Sequence, residues 1–246
     1  MKTKTKPQDM TFQPPQRCLG AAFLLCEILF AIQQEYLFAR RIRTYIPFLE
    51  VPTMNVYRDC PTFVSTRFNL RLVSLEDAPF LLRVYSDPAA HPFFNSDNCH
   101  SDFRYSTLKE MEDCIRMWLW SYEHGHFVRW TILRLDVPVG TVEMFRRSAG
   151  SDGQGEGVLR IDLLSKFEQS DVIDEILRTI LPEMHELFHC SHILTKALPL
   201  MSKRRLALVL HGFFPNKAPL IGENGVEYGH YWGCRYAPRI QRINSF

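Results

Sequence analysis

VLRIDLLSKFEQSDVIDEIL, residues 158–177, holds the two periodicities that set the architecture. Val158 to Leu164 reads as a strand. From Asp171 to Phe188 the apolar residues Ile173, Leu177, Ile180, Met184 and Leu187 return at helical spacing. A helix this long after a strand predicts a crossover to a further strand, and Ile193 to Leu198 supplies it. Pro182 falls inside the helix and predicts a kink, because proline lacks the N–H that the preceding turn would bind. Downstream, Ser202 to His211 reads as a helix stopped by Gly212. Ala218 to Ile221 and Val226 to Trp232 then flank Asn224-Gly225, a strong hairpin signal.

Working backward, Val139 to Phe145 and Phe127 to Leu133 read as paired strands turned at Asp136 to Pro138. Ser148 to Gly157 is polar and glycine-rich, and reads as a loop. Thr107 with Glu110 forms a capping box that opens a helix carrying Leu108, Met111, Ile115, Trp118 and Tyr122. Arg67 to Val73 alternates with Phe68, Leu70 and Leu72 on one face, and Ser74 with Asp77 caps the helix that follows. Pro88 to Tyr105 is a long polar loop, a length usually reserved for function, and so a candidate substrate-facing segment. The order predicts one α/β domain: a single mixed, mostly antiparallel sheet with helices on both faces.

The composition, 46% hydrophobic and 23% charged, is that of a folded domain, and a formal charge of +2 gives no reason to expect nucleic acid or an anionic membrane as partner. The arginine pairs 40–41, 146–147 and 204–205 read as solvated faces. Seven dispersed cysteines without a C-x-x-C pair fit reduced thiols and a cytoplasmic location. Residues 1–53 read as an extension outside the fold, with Met54 a candidate start; their apolar run from Cys18 to Ile32 is interrupted by Glu27 and too short to span a bilayer. The domain is expected over 54–236, with 237–246 a tail.

Three segments together resemble the GNAT acyltransferases, in particular the branch similar to ribosomal-protein N-acetyltransferases: RFNLRLVSLEDAPFLLRVYSDP (67–88), VRWTILRLDVPVGTVEMF (128–145) and ILTKALPLMSKRRLALVLHGFF (193–214). The similarity covers roughly residues 62–234. It implies a GNAT-like fold, acetyl-CoA as co-substrate, no metal, and a small-molecule or peptide primary amine as acceptor. It places the cofactor at the strand–helix junction, over Leu163, Leu164, Lys166, Gln169, Ser170, Asp171 and Val172. There a glycine-rich turn would expose backbone N–H groups to the pyrophosphate at a helix N-terminus. The two expected glycines fall on Gln169 and Asp171, and Glu168 adds a second negative charge; Lys166 and Arg178 are available to offset it. In the last helix Met201, Arg204 and Leu208 stand where the family usually has Asn, Ser and Tyr, so the usual tyrosine acid is absent. The resemblance puts Asp162 beside the thioester as the first candidate acid–base group and Glu143 second; both also fit as sheet carboxylates paired with Arg160 or solvent. The alternative to an enzyme is a GNAT-like binding module that has lost catalysis.

Two other features compete. His185-Glu-Leu-Phe-His189 fits the H-E-x-x-H pattern of zinc hydrolases, yet it lies where its helix is about to end and no third ligand has the usual placement. Trp118, Trp120, Trp130 and Phe127 could line a substrate tunnel, or fill the core.

Overall fold

The computed structural model describes residues 54–147 and 155–235, which fall in one unit of the chain, Thr53–Phe246. The reading of residues 1–53 and 237–246, and most of the 148–157 loop, lies outside them. In chain order the elements are β1 (Phe63–Val64), β2 (Asn69–Leu72), α1 (Ala78–Tyr85), α2 (Leu108–Glu123), β3 (Val128–Arg134), β4 (Val137–Arg147), β5 (Gly155–Leu163), α3 (Ser170–Leu187), β6 (Cys190–Lys196), α4 (Ser202–Leu210), β7 (Phe214–Pro215), β8 (Leu220–Ile221), β9 (Glu227–Tyr228) and β10 (Tyr231–Arg235).

Eight strands form one sheet in the order β1-β2-β3-β4-β5-β6-β10-β7, with β8–β9 a separate ribbon. Every pair in the large sheet is antiparallel except β5–β6. Helices cover both faces, so β3 is buried along all but its last residue. On one face Trp130, Val142 and Ile161 stand in register and pack with Ile173, Leu177, Ile180 and Met184 of α3; Ala207 and Leu208 of α4 join the same cluster. Ile180 is fully buried there, and truncating it to Ala costs about 2–5 kcal/mol. On the other face Ala78, Leu81, Val84 and Tyr85 of α1 pack with Met111, Ile115 and Trp118 of α2.

Local chemistry explains the boundaries. The Thr107 hydroxyl accepts from the Glu110 amide at 3.2 Å, and the Glu110 carboxylate accepts from the Thr107 amide at 2.9 Å, closing the capping box that starts α2. Gly125, at φ +73°, takes the left-handed conformation that ends the same helix. Leu135 and Asp136 both have positive φ, the geometry of a two-residue hairpin turn between β3 and β4.

Several expectations shift. Gly155 to Gly157 belong to β5 and are not loop; side chains there would collide with Arg146 and with Met144 and Cys190, so the glycines serve close packing. The expected strand Val226–Trp232 is interrupted at Gly229-His230, where His230 has φ +65°; its first part pairs with β8 and its second, β10, crosses to β6.

Candidate functional site

The parallel β5–β6 pair is short. Register partners run from Gly155↔Cys190 to Val158↔Leu194, yet β5 continues to Leu163 and β6 to Lys196. Leu159 to Leu163 therefore have no register partner on the β6 side. A crevice at the carboxyl ends of diverging parallel strands is where α/β sheets generally receive ligands.

The polar face of the sheet beside this opening is charged and buried. Register sets Arg129, Glu143 and Arg160 side by side, and Thr131, Thr141 and Asp162 in the next row. Arg129 donates from Nη1 to the Tyr85 hydroxyl (2.8 Å), Thr141 Oγ1 (3.0 Å) and Asp162 Oδ2 (3.3 Å), and from Nη2 to Glu143. Its guanidinium lies 4.0 Å from the centroid of the Trp118 ring. The Tyr85 hydroxyl donates to Asp162 Oδ2 at 3.0 Å. Arg160 Nη1 donates to Glu143 Oε1 at 2.5 Å and its Nη2 to the Asp97 carbonyl at 2.7 Å. Asp97 accepts from Lys196 Nζ at 2.6 and 2.7 Å and from the Tyr231 hydroxyl at 3.2 Å. The 88–105 loop is thereby pinned across β5, β6 and β10.

Burial pushes the Asp162 carboxyl up against the opposing pull of Arg129, and its Oδ1 has no hydrogen-bond partner among the described residues. Burial would raise Glu143 as well, but Arg129 and Arg160 together hold it below the ordinary carboxylate range. Desolvation costs several kcal/mol per ion, so buried pairs of this kind are weak sources of stability. Such a cluster beside the unpaired edge of β5 is a candidate functional site.

At the β5–α3 junction, Ser165 to Phe167 make one 3₁₀ turn and Gln169 precedes the helix. Glu168 and Arg204, 4% and 3% exposed, are joined by two hydrogen bonds of 2.8 and 2.7 Å. Gln169 accepts from Lys203 at 2.7 Å. Asp171, in the first turn, is bound by Arg67 at 2.7 Å; that bond, then its own and the Val172 amide, lower its pKa. A cavity of about 170 Å³ lies here, with Phe93, Ser165, Glu168, Gln169, Lys203 and Arg204 in its wall. Leu163 and Val172 point into the core and have only backbone to offer; Leu164 and Ser170 are half-buried, and Lys166 and Asp171 are exposed. Arg178 is engaged with Asp174 on its own helix.

The structure thus brings Asp162 and Glu143 into one network and keeps the seven junction residues as a separate group. Arg129, Tyr85, Asp97 and Lys196 were not singled out by sequence. The signal available was a polar residue at alternate positions of a strand, Arg129 and Thr131 beside Arg160 and Asp162, which alternation alone assigns to solvent. Arg204, expected on a solvated face, is buried because Glu168 receives it.

Trp118 and Trp130 are core residues on opposite faces, whereas Trp120 is 53% exposed and stacks on His124, so the four aromatic residues do not share one lining. His185 is buried, its Nδ1 2.9 Å from the Cys190 carbonyl, and burial lowers its pKa. His189 lies beyond the end of α3 at φ +47°, out of helical register with His185. Among the described residues, no group of three or more His, Cys, Asp or Glu could hold a metal ion.

The strand order, the single parallel pair and the four α-helices among the described residues make a GNAT-like fold. A chain assigned as a ribosomal-protein-serine acetyltransferase from Vibrio cholerae matches with a TM-score of 0.56 at 12% identity, over 72% of this chain and 98% of that one. The microcin C7 self-immunity acetyltransferase MccE, solved in complex with acetyl-CoA and AMP, matches at 0.55 and 12% identity over 70% and 94%. RimJ of Mycobacterium smegmatis in complex with CoA-disulfide matches at 0.55 and 14% identity over 71% and 87%. No protein-family model matches the chain, and no curated protein matches it in sequence. Structural likeness at this level of identity shows the fold alone; activity has to be argued from the site.

Proposed function

We propose that the chain is a cytoplasmic acyl-CoA-dependent N-acyltransferase, moving an acetyl group from acetyl-CoA to a primary amine. The observation that carries this reading is the opening of β5 from β6 after Val158↔Leu194 in a GNAT fold. An extended, amide-bearing pantetheine arm can pair with the vacated edge of Leu159 to Leu163 as an added strand would. Leu163, Leu164, Gln169, Ser170, Asp171 and Val172 would hold the cofactor through backbone, with Lys166 and Lys203 supplying positive charge that Glu168 and Asp171 oppose. Acetyl-CoA contributes the activated acyl group. Asp162, buried and with one oxygen that has no hydrogen-bond partner among the described residues, would take the proton of the attacking amine; Glu143 would hold Arg129 and Arg160 in place.

The ionic closure of the junction favours a second reading, a GNAT-like binding module without catalysis. Glu168–Arg204 and Asp171–Arg67 occupy with the chain's own charges the place where a pyrophosphate would sit. Incubating the protein with acetyl-CoA and a panel of primary amines, and following free thiol release, separates the two. Acceptor-dependent release that Asp162→Asn abolishes supports transfer. A folded protein that releases no thiol with any amine, while binding one of them, supports the module.

A further inference from the structure

α4 presents apolar side chains in two directions. Arg204, Ala207 and Leu208 face inward and are buried. Leu206, Val209 and Leu210, on the same helix, are 57%, 52% and 67% exposed. At about 100° per residue these three fall within one arc of about 100°, opposite the buried stripe. The same spacing sets Lys203 at one border of the arc and Arg205 at the other. A helix that already buries one face draws no folding stability from a second apolar face left in water, and such a patch marks a contact surface.

No carboxylate answers the two bordering cations. Between Lys196 and Gly222 the chain has no Asp or Glu. Lys203 Nζ donates to the Gln169 side-chain oxygen at 2.7 Å. Arg205 donates to the Pro199 carbonyl at 3.5 Å, and its guanidinium lies 5.1 Å from the centroid of the Trp232 ring. All of these partners are neutral. The acids of the neighbouring segments are engaged elsewhere: Glu168 with buried Arg204, Asp171 and Glu175 with Arg67, and Asp174 with Arg178 and His211. The outer side of α4 is therefore an apolar ridge between two cations that have no carboxylate partner among the described residues. The formal charge of the whole chain, +2, conceals this local arrangement.

We propose that this face of α4 rests on an anionic lipid surface. Leu206, Val209 and Leu210 enter the headgroup boundary, and Lys203 and Arg205 meet the negative charge of the headgroups. A protruding ridge needs no matching groove in a fluid surface. Two copies of the face would bring like charges together, which opposes a symmetric dimer through it. No helix among the described residues is long and apolar enough to cross a membrane, so the contact is with the surface only. The face requires no acyl-CoA and stands whether or not the chain transfers acyl groups.

The test is co-sedimentation of the full chain with vesicles of phosphatidylcholine alone and of phosphatidylcholine and phosphatidylserine in equal parts. Partition onto the anionic vesicles is expected to exceed that onto neutral ones by about tenfold or more, and to fall as salt is added. Leu206→Gln with Leu210→Gln is expected to lower that partition by about tenfold or more. Both positions are exposed and glutamine suits a helix, so the variant should melt as the wild type does. Lys203 is left untouched because it also borders the β5–α3 junction. Equal partition onto neutral and anionic vesicles, or none onto either, would overturn the proposal. Undiminished binding by the folded variant would assign the contact to another part of the chain and overturn it too. So would a wild-type dimer in solution that the variant dissolves, which would give the face to a second copy.

Discussion

Glu168 and Arg204 are each nearly fully buried and have each other as partner, so neither can be removed alone without stranding a charge. Glu168→Gln or Arg204→Met is expected to destabilise the protein by about 3–5 kcal/mol in urea unfolding, while the double change to apolar residues recovers most of that loss. A single change costing under about 1 kcal/mol would mean that the pair is open to water. Asp162, on β5, has a different task in the proposed reaction. As the proton acceptor it should be needed for turnover and not for binding, so Asp162→Asn is expected to lower kcat by about 10²–10⁴-fold with KM little changed. The raised carboxyl has to be ionised to act, so kcat/KM should climb as pH rises through its folded pKa, and the climb should vanish in the variant. A variant that keeps the wild-type profile would remove Asp162 from the reaction. Residues at this scale were the least legible in sequence. Asp162 and Glu143 were marked, but their partners Arg129 and Tyr85 were not, because no local pattern shows that a strand's polar face will be roofed by α1 and α2.

The first turn of α3 concentrates the difficulty of the acyl-CoA reading. Its amides face outward as in any helix start, but Asp171 places a carboxylate among them and Arg67 neutralises it. Asp171→Gly together with Gln169→Gly would restore bare backbone and is expected to tighten coenzyme A binding by at least about tenfold, with little loss of stability because the Arg67 pair is exposed. Unchanged or weaker affinity in the double variant would show that this turn does not contact the pyrophosphate. Elements as such were well marked in sequence. The Thr107 capping box, the long apolar stripe of α3 and the β3–β4 hairpin each carry a local chemical signal that tertiary context left intact. The misses have equally local causes: Gly155 and Gly157 are strand glycines selected by neighbours that sequence order cannot reveal, and the break at Gly229-His230 depends on where β6 receives β10.

Across the whole molecule, two buried carboxyls pull stability in opposite directions with pH. Asp162, raised in the folded state, contributes stability that is fully present below the ordinary carboxylate range and is lost as pH rises through its folded pKa. Glu143, lowered, contributes stability present above that range and lost as pH falls through its folded pKa. Unfolding followed across pH should therefore show Asp162→Asn flattening the loss on the rising side and Glu143→Gln flattening the loss on the acid side. The fold itself was readable from element order, since one strand–helix–strand crossover followed by an antiparallel closing strand leaves few alternatives. What the fold does with acetyl-CoA is the central claim, and calorimetric titration of acetyl-CoA into the full chain tests it most directly. Saturable binding at one site is expected, weakened by Lys203→Glu at the mouth of the junction. A folded protein that shows no heat of binding with millimolar acetyl-CoA would contradict it.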